Sequence, residues 1–126
     1  MSKLISLLVL AVVTSFLRFT HLDQVPICLS NDEVAFAYNA YSILETGRDE
    51  YGEKFPLIFK SIGDAKLPAT IYLTTIPIKV FGLTEWSIRF PSAAFGILAV
   101  IFFYLLVKEV TNNNLMAFLA GLLLAL

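Results

Sequence analysis

Residues 90–107 read FPSAAFGILAVIFFYLLV, and these eighteen residues without a charged side chain decide the fold. An α-helix needs about 20 predominantly apolar residues to cross the hydrocarbon core of a membrane. Arg89 and Lys108 bracket the stretch and Trp86 precedes it, as basic and aromatic residues do at membrane interfaces. The stretch therefore predicts a transmembrane helix over residues 90–108.

Two further apolar segments predict additional spans over residues 4–19 and 115–126. The apolar part of the first, residues 4–17, lies between Lys3 and Arg18, and the second reads LMAFLAGLLLAL. A cleaved signal peptide is the alternative for the first segment, but no small-x-small cleavage pattern follows it. Because the last apolar run ends without polar flanking residues, we expect the chain to be the N-terminal part of a longer polytopic protein.

The composition also favours a membrane protein. The 126 residues are 58% hydrophobic and 15% charged, and the mean hydropathy is +0.79. Soluble domains are about 45–50% apolar and about 25% charged. A net charge of −1 gives no basis for nucleic-acid binding, and a single cysteine, Cys28, excludes an internal disulfide framework.

The acidic residues are concentrated in one part of the chain. Eight of the ten lie between Thr20 and Lys66, which predicts a polar loop over residues 20–89 between the first two spans. Lys3 and Lys108 flank the spans, and basic flanks face the cytoplasm. We therefore expect a multi-pass protein of the plasma or inner membrane, with residues 20–89 on the extracytoplasmic side.

Two helices are predicted within this loop. The first runs from about Asp32 to Thr46, because Ser30 and Glu33 fit a capping box and Gly47 fits the stop position. Apolar and aromatic residues recur along it at helical spacing, which favours a position on the membrane surface.

The second helix of the loop is predicted over residues 67–80. Pro68 suits its first turn and Gly82 lies just past its end. Residues 47–66 between the two helices are interpreted as a turn-rich connector. The predicted fold class is all-α: polytopic transmembrane helices with two juxtamembrane helices in the first extracytoplasmic loop.

The residues with candidate chemistry lie at the starts of these helices. Asp32 and Glu33 would complement the dipole of the first helix, and carboxylates at a membrane face could also activate an acceptor or bind a metal. Lys66, with Asp64 nearby, precedes the second helix and could bind a phosphate or extend to the lipid headgroups. Arg89 is a further cation near the same face.

Metal sites have little support in the sequence. His21 is the only histidine, so zinc coordination by a His or Cys cluster is not expected. We assign no metal ligands. A divalent cation is the one candidate cofactor, but the Asp32–Glu33 dyad could bind it only with ligands from elsewhere.

The ordered set of segments resembles a known family. RFTHLDQVP (residues 18–26) is followed by NDEVAFAYNAYSILETGRDEYG (31–52) and GDAKLPATIYLTTIPIKVFGLTEWSIRFPSAAFG (63–96). Together they are similar to the N-terminal part of the GT-C glycosyltransferases that use lipid-linked sugars, specifically the dolichyl-phosphate-mannose–protein mannosyltransferase and aminoarabinose transferase-like group. In two respects the chain departs from relatives: Lys66 is followed by Leu67 and a single proline, and Ala65 stands where some relatives have a second acid.

The resemblance implies specific roles for these residues. Asp32 matches the catalytic aspartate, with Glu33 as its neighbour, and Lys66 matches the lysine that contacts the phosphate of the lipid carrier. Asp64 and Arg89 are the further candidates for substrate binding. The implied reaction is inverting transfer of a sugar from a polyprenyl-phosphate donor to a protein, lipid or glycan acceptor outside the membrane.

Two other functional classes remain open from the residues alone. The chain could be a small non-catalytic membrane protein whose outer loop binds a partner. A secreted protein with a cleaved signal is the third class, but residues 90–107 would still require a membrane.

Overall fold

The computed structural model describes residues 3–61 and 64–126. Five helices and one short antiparallel hairpin are found in this part of the chain. In chain order they are α1 (Lys3–Phe19), α2 (Asn31–Thr46), β1 (Phe59–Ser61), β2 (Asp64–Lys66), α3 (Pro68–Phe81), α4 (Glu85–Thr111) and α5 (Asn114–Ala125). The chain divides into two compact units, and the division falls within α4 between Pro91 and Ser92.

One unit comprises α1, α5 and the part of α4 from Ser92 onward. Its hydrophobic core contains the buried residues Leu10, Val100, Tyr104, Ala117 and Ala125. Gly121 of α5 lies against the side chain of Leu10 of α1, and the two helices pack against each other. Small residues at such a contact let two helices approach closely, as helices do in membranes.

Large apolar side chains cover the outside of this unit. Examples from the three helices are Phe16, Phe102 and Leu123, which are 69%, 65% and 76% exposed. Large exposed apolar side chains in such number mark contact with a membrane or a partner. By length and composition, α4 is the one helix among the described residues that could cross a membrane, and α5 is a shorter apolar helix. The predicted spans at residues 4–19 and 115–126 therefore remain predictions.

The other unit contains α2, the hairpin, α3 and the first turns of α4. Helices α2 and α3 pack against each other around Ala40, Ile43, Phe59, Ile71 and Ile78. The predicted ends of α2 are confirmed: Ser30 and Glu33 form the capping box, and Gly47 caps the C-terminus in the left-handed conformation. The predicted Pro68 start of α3 and its Gly82 end are confirmed as well.

The hairpin corrects the all-α prediction for the connector. Strands β1 and β2 pair antiparallel, with Phe59 opposite Lys66. Phe59 is fully buried, and its ring meets that of Tyr72 on α3 edge to face at 5.5 Å. The short strands are thus held by burial of an aromatic ring against α3, a contact that turn-forming residues in the sequence do not reveal.

Helix α4 begins five residues before the predicted start of the span. The Thr84 hydroxyl accepts a hydrogen bond from the Ser87 amide at 3.2 Å, and the Thr84 carbonyl accepts one from the Ile88 amide at 3.1 Å. These bonds satisfy amides that a helix N-terminus otherwise leaves unpaired. The charged residues Glu85 and Arg89 are therefore part of the helix and not of a preceding loop.

Gly47→Ala tests the left-handed end of α2. Gly47 has a φ of 68°, and an added Cβ would lie 3.2 Å from the Phe55 ring. We expect a loss of about 1–2 kcal/mol in the free energy of unfolding, from the left-handed backbone plus the ring contact, measured by thermal unfolding in detergent. Gly52→Ala is the matched control, because Gly52 also has a positive φ but open space around it. An unchanged Gly47→Ala protein would contradict the assignment.

Candidate active site

The N-terminus of α2 gives two neighbouring acids different surroundings. The Ser30 hydroxyl accepts a hydrogen bond from the Glu33 amide at 3.2 Å, and the Ser30 amide donates to Oε2 of Glu33 at 2.8 Å. Glu33 is therefore held back against the cap. Asp32 makes no contact with the cap, and its side chain is 64% exposed.

Asp32 pairs with Lys66, which is 34 residues away in the sequence. The ammonium Nζ of Lys66 lies 2.6 Å from Oδ1 of Asp32, and the lysine side chain is only 12% exposed. Lys66 ends β2 directly before α3, so the hairpin determines where the ammonium lies. Oδ2 of Asp32 accepts no hydrogen bond from the described residues and is available to a ligand.

The pair lines an open cleft of about 710 Å³. Ligand clefts in proteins have volumes of about 300–1,000 Å³. One wall is α2, through Asn31, Asp32, Val34, Ala35 and Tyr38. The remaining lining residues are Glu50, Ser61 and Lys66. A cation, two carboxylates, hydroxyls and an apolar wall thus face one volume.

The other predicted pair of residues forms a separate, buried ion pair. Nε of Arg89 donates to Oε1 of Glu33 at 2.8 Å, and the arginine side chain is 6% exposed. Its Nη1 donates to the Leu22 carbonyl at 3.0 Å, and its Nη2 donates to the Cys28 carbonyl at 3.3 Å. Every nitrogen of the guanidinium thus has an acceptor within the protein, and both carboxylate oxygens of Glu33 are occupied.

The five predicted site residues therefore separate into groups. Asp32 and Lys66 come together at the cleft, whereas Glu33 and Arg89 come together away from its lining. The side chain of Asp64 lies outside the described residues. The contacts of Glu33 and Arg89 are those of residues that position a helix, and their predicted catalytic and substrate-binding roles remain predictions.

Sequence reasoning did not assign Glu50 and Tyr38 to the site. The sequence signal that could have pointed to Glu50 is Asn39, a polar residue of α2. It lies seven residues after Asp32 on the same face of the helix. A buried asparagine needs hydrogen-bond partners, and Asn39 is 1% exposed. Its partner is Glu50: the Asn39 amide donates to Oε1 of Glu50 at 3.2 Å.

The structure gives no support for a metal site within the described residues. No group of three or more His, Cys, Asp or Glu side chains in that part of the chain is arranged to hold an ion. A divalent cation bound by Asp32 would need ligands beyond these residues, so the candidate cofactor remains a prediction.

Arg89→Lys tests the buried ion pair. Lysine keeps the charge but has a single ammonium, which cannot serve the carboxylate and both carbonyls together. Hydrogen bonds from a charged donor contribute about 1.5–3 kcal/mol each, so we expect a loss of about 3 kcal/mol in the free energy of unfolding, measured by thermal unfolding in detergent. Arg48→Lys is the control, because Arg48 is exposed and donates through Nη1 to the Gly52 carbonyl. Equal losses in the two variants would contradict the role of Arg89.

Glu33 predicts an acid-sensitive contribution to stability. Burial acts to raise the pKa of Glu33, but the hydrogen bonds from Arg89 and Ser30 outweigh it, and the pKa lies below the ordinary value of 4.5. The ionised form therefore stabilises the folded state at neutral pH, and this contribution is lost as the pH falls below about 4.5 through the folded pKa. We expect Glu33→Gln to have a flatter dependence of Tm on pH between about pH 3 and about pH 6. Glu45→Gln, an exposed change on the same helix, should keep the slope of the unsubstituted protein.

Comparison with known proteins connects this geometry to a family. Residues 65–126 match the family model of the dolichyl-phosphate-mannose-protein mannosyltransferases. The match includes Lys66 and Arg89, while Asp32, Glu33 and Glu50 precede it. No curated protein and no solved structure matches the chain. The family match covers just under half of the chain and, together with the apolar helix α4, supports a membrane protein that is similar to GT-C mannosyltransferases.

Proposed function

We propose that the chain is the N-terminal part of a membrane glycosyltransferase that moves a sugar from a polyprenyl-phosphate donor to an acceptor on the extracytoplasmic side. The observation that carries the proposal is the contact of Asp32 with Lys66 at 2.6 Å on the wall of an open cleft. A candidate base and a candidate phosphate ligand, distant in sequence, thus share one volume. The acceptor is a hydroxyl or amine of a protein, lipid or glycan.

Each residue has a defined part in the proposed reaction. The acceptor attacks C1 of the sugar and forms a new bond there, while the bond from C1 to the phosphate oxygen breaks. Asp32 takes the proton from the acceptor as general base. The carrier leaves as polyprenyl phosphate, and the Lys66 ammonium stabilises the negative charge that develops on its oxygen.

The ion pair requires a change before the reaction can begin. Lys66 contacts Asp32, so a donor phosphate must displace the carboxylate from the ammonium. The donor phosphate is a diester with one negative charge on two non-bridging oxygens, as a carboxylate has, so it can take the place of Asp32 as the charged acceptor of the ammonium. The exchange frees Asp32 to meet the acceptor on the other side of C1, as inversion requires.

The setting at the membrane fits the same proposal. Helix α4 supplies an apolar segment that could span the bilayer, and basic residues lie near the ends of the predicted spans. Residues 20–89 then form an extracytoplasmic loop of a multi-pass protein in the plasma or inner membrane. The prenyl chain of the donor would lie along apolar helix surfaces.

Asp32→Asn and Lys66→Ala test the two roles. The complete product of the gene is expressed in membranes and supplied with radiolabelled mannosyl or glucosyl phosphoryl polyprenol. Loss of the general base should lower kcat by roughly 10²- to 10⁴-fold. Loss of the ammonium should raise the donor KM and also lower kcat, with kcat/KM falling roughly tenfold or more, because a charge-assisted hydrogen bond to the phosphate is removed.

Glu45→Gln and Lys79→Ala are the matched controls. These residues lie on α2 and α3 and line a different cleft, so both variants should retain activity. Full activity of Asp32→Asn and Lys66→Ala would overturn the assigned roles. Absence of transfer by the unsubstituted protein from any lipid-linked sugar would overturn the function and favour the non-catalytic alternative.

A further inference from the structure

The cleft beside Asp32 has two chemically different ends. At one end the Lys66 ammonium pairs with Asp32 at 2.6 Å. At the other end lies Glu50, which also lines the cleft but is bonded to Asn39. Asp32 and Asn39 are seven residues apart on α2, which is about 10 Å along the helix axis. The proposed reaction uses the first end and leaves the second unassigned.

Glu50 is held in place by a two-point contact with a buried side chain. The side-chain amide of Asn39 donates to Oε1 of Glu50 at 3.2 Å, and the backbone amide of Glu50 donates to Oδ1 of Asn39 at 3.2 Å. Asn39 is itself fixed, because its amide also donates to the Ala35 carbonyl at 3.0 Å. The carboxylate of Glu50 is therefore oriented by α2 although it belongs to a loop.

The loop that carries Glu50 is also ordered by its own contacts. Oδ1 of the buried Asp49 accepts hydrogen bonds from the Tyr51 amide at 3.0 Å and from the Glu53 amide at 2.7 Å. The Arg48 guanidinium donates to the Gly52 carbonyl at 2.9 Å. Since the backbone on both sides of Glu50 is bonded, its carboxylate has a defined position at the cleft.

The groups at this end suit a sugar ring. Oε2 of Glu50 accepts no hydrogen bond from the described part of the chain and can accept one from a ligand hydroxyl. The Tyr38 side chain also lines the cleft and is 57% exposed. An aromatic face contacts the apolar C–H face of a sugar ring, and an ionised carboxylate is a strong acceptor for its hydroxyl groups.

We propose that Glu50, oriented by Asn39, binds hydroxyl groups of the donor's sugar ring while Lys66 holds the phosphate at the opposite end of the cleft. Glu50 then determines which lipid-linked sugar is accepted, and Tyr38 packs against the ring. This inference rests on the proposed function, because it takes the ligand of the cleft to be a glycosylated phosphate. To the residues of the proposed reaction, the inference adds Glu50, which contacts the sugar and not the phosphate.

Binding of three carriers, one bare and two glycosylated, tests the inference. The complete gene product in detergent is titrated with bare polyprenyl phosphate and with its mannosyl and glucosyl derivatives. Glu50→Ala should weaken binding of a glycosylated carrier about tenfold or more, since it removes a charge-assisted hydrogen bond. Binding of the bare carrier should not change, which also shows that the variant is folded. Glu53→Ala, on the same loop but outside the cleft lining, should bind every carrier as the unsubstituted protein does.

Lys66→Ala separates this inference from the proposed function. If Lys66→Ala weakens binding of all carriers while Glu50→Ala weakens none, the phosphate site stands and the sugar site is overturned. If neither substitution affects any carrier, the proposed function fails as well. If Glu50→Ala leaves carrier binding unchanged but raises the KM for a hydroxyl acceptor tenfold, the hydroxyl groups belong to the acceptor, and the donor assignment is overturned.

Discussion

The arrangement of the unit that contains α2, the hairpin and α3 depends on the Arg89 guanidinium. Arg89 lies in the second turn of α4, where it is nearly inaccessible to solvent, and it bonds to the Glu33 carboxylate and to two backbone carbonyls. A buried cation without acceptors is very costly, so the chain must bring these three groups to it. The contact thereby joins the beginning of α4 to the N-terminus of α2 and to the irregular segment before it. That N-terminus is also where Asp32 lies.

This constraint explains why adjacent acids have different surroundings. Neighbouring residues of a helix are rotated by about 100°, so the side chains of Asp32 and Glu33 cannot face the same partner. Glu33 closes the capping box through Oε2 and binds Arg89 through Oε1. Asp32 faces the cleft and meets Lys66. The bonds of Glu33 fix the end of α2. Because Asp32 is the preceding residue of the same helix, those bonds also fix the position of Asp32 at the cleft.

Local signals in the sequence are sufficient to predict the ends of α2 and α3 but not the contacts between the helices. The capping box, Gly47, Pro68 and Gly82 act within one turn of a helix, and each could be identified from a few neighbouring residues. The hairpin was missed because its strands have three residues each and depend on the burial of Phe59 against α3. Arg89 is a candidate for substrate binding because it is a cation beside a predicted span, and that role stays a prediction. Its acceptors lie 56 to 67 residues away in the chain, and no local pattern identifies them.

The candidate site shows the same limit, because the order of segments indicated Asp32 and Lys66 but not Glu50. Its link to the cleft passes through Asn39, a polar residue in the packed part of α2 whose partner lies eleven residues further on. An asparagine in a helix is common and by itself indicates no site. Asn39, however, is buried and bonds both the backbone amide and the carboxylate of Glu50, and these two bonds orient the carboxylate. The cleft therefore has an ion pair at one end that a bound anion must open, and at the other end a carboxylate that is already fixed. Under the proposed function, the sugar meets a surface that is already formed. The phosphate, in contrast, must displace the Asp32 carboxylate from Lys66. Asp32 therefore becomes available to the acceptor only when the donor is bound.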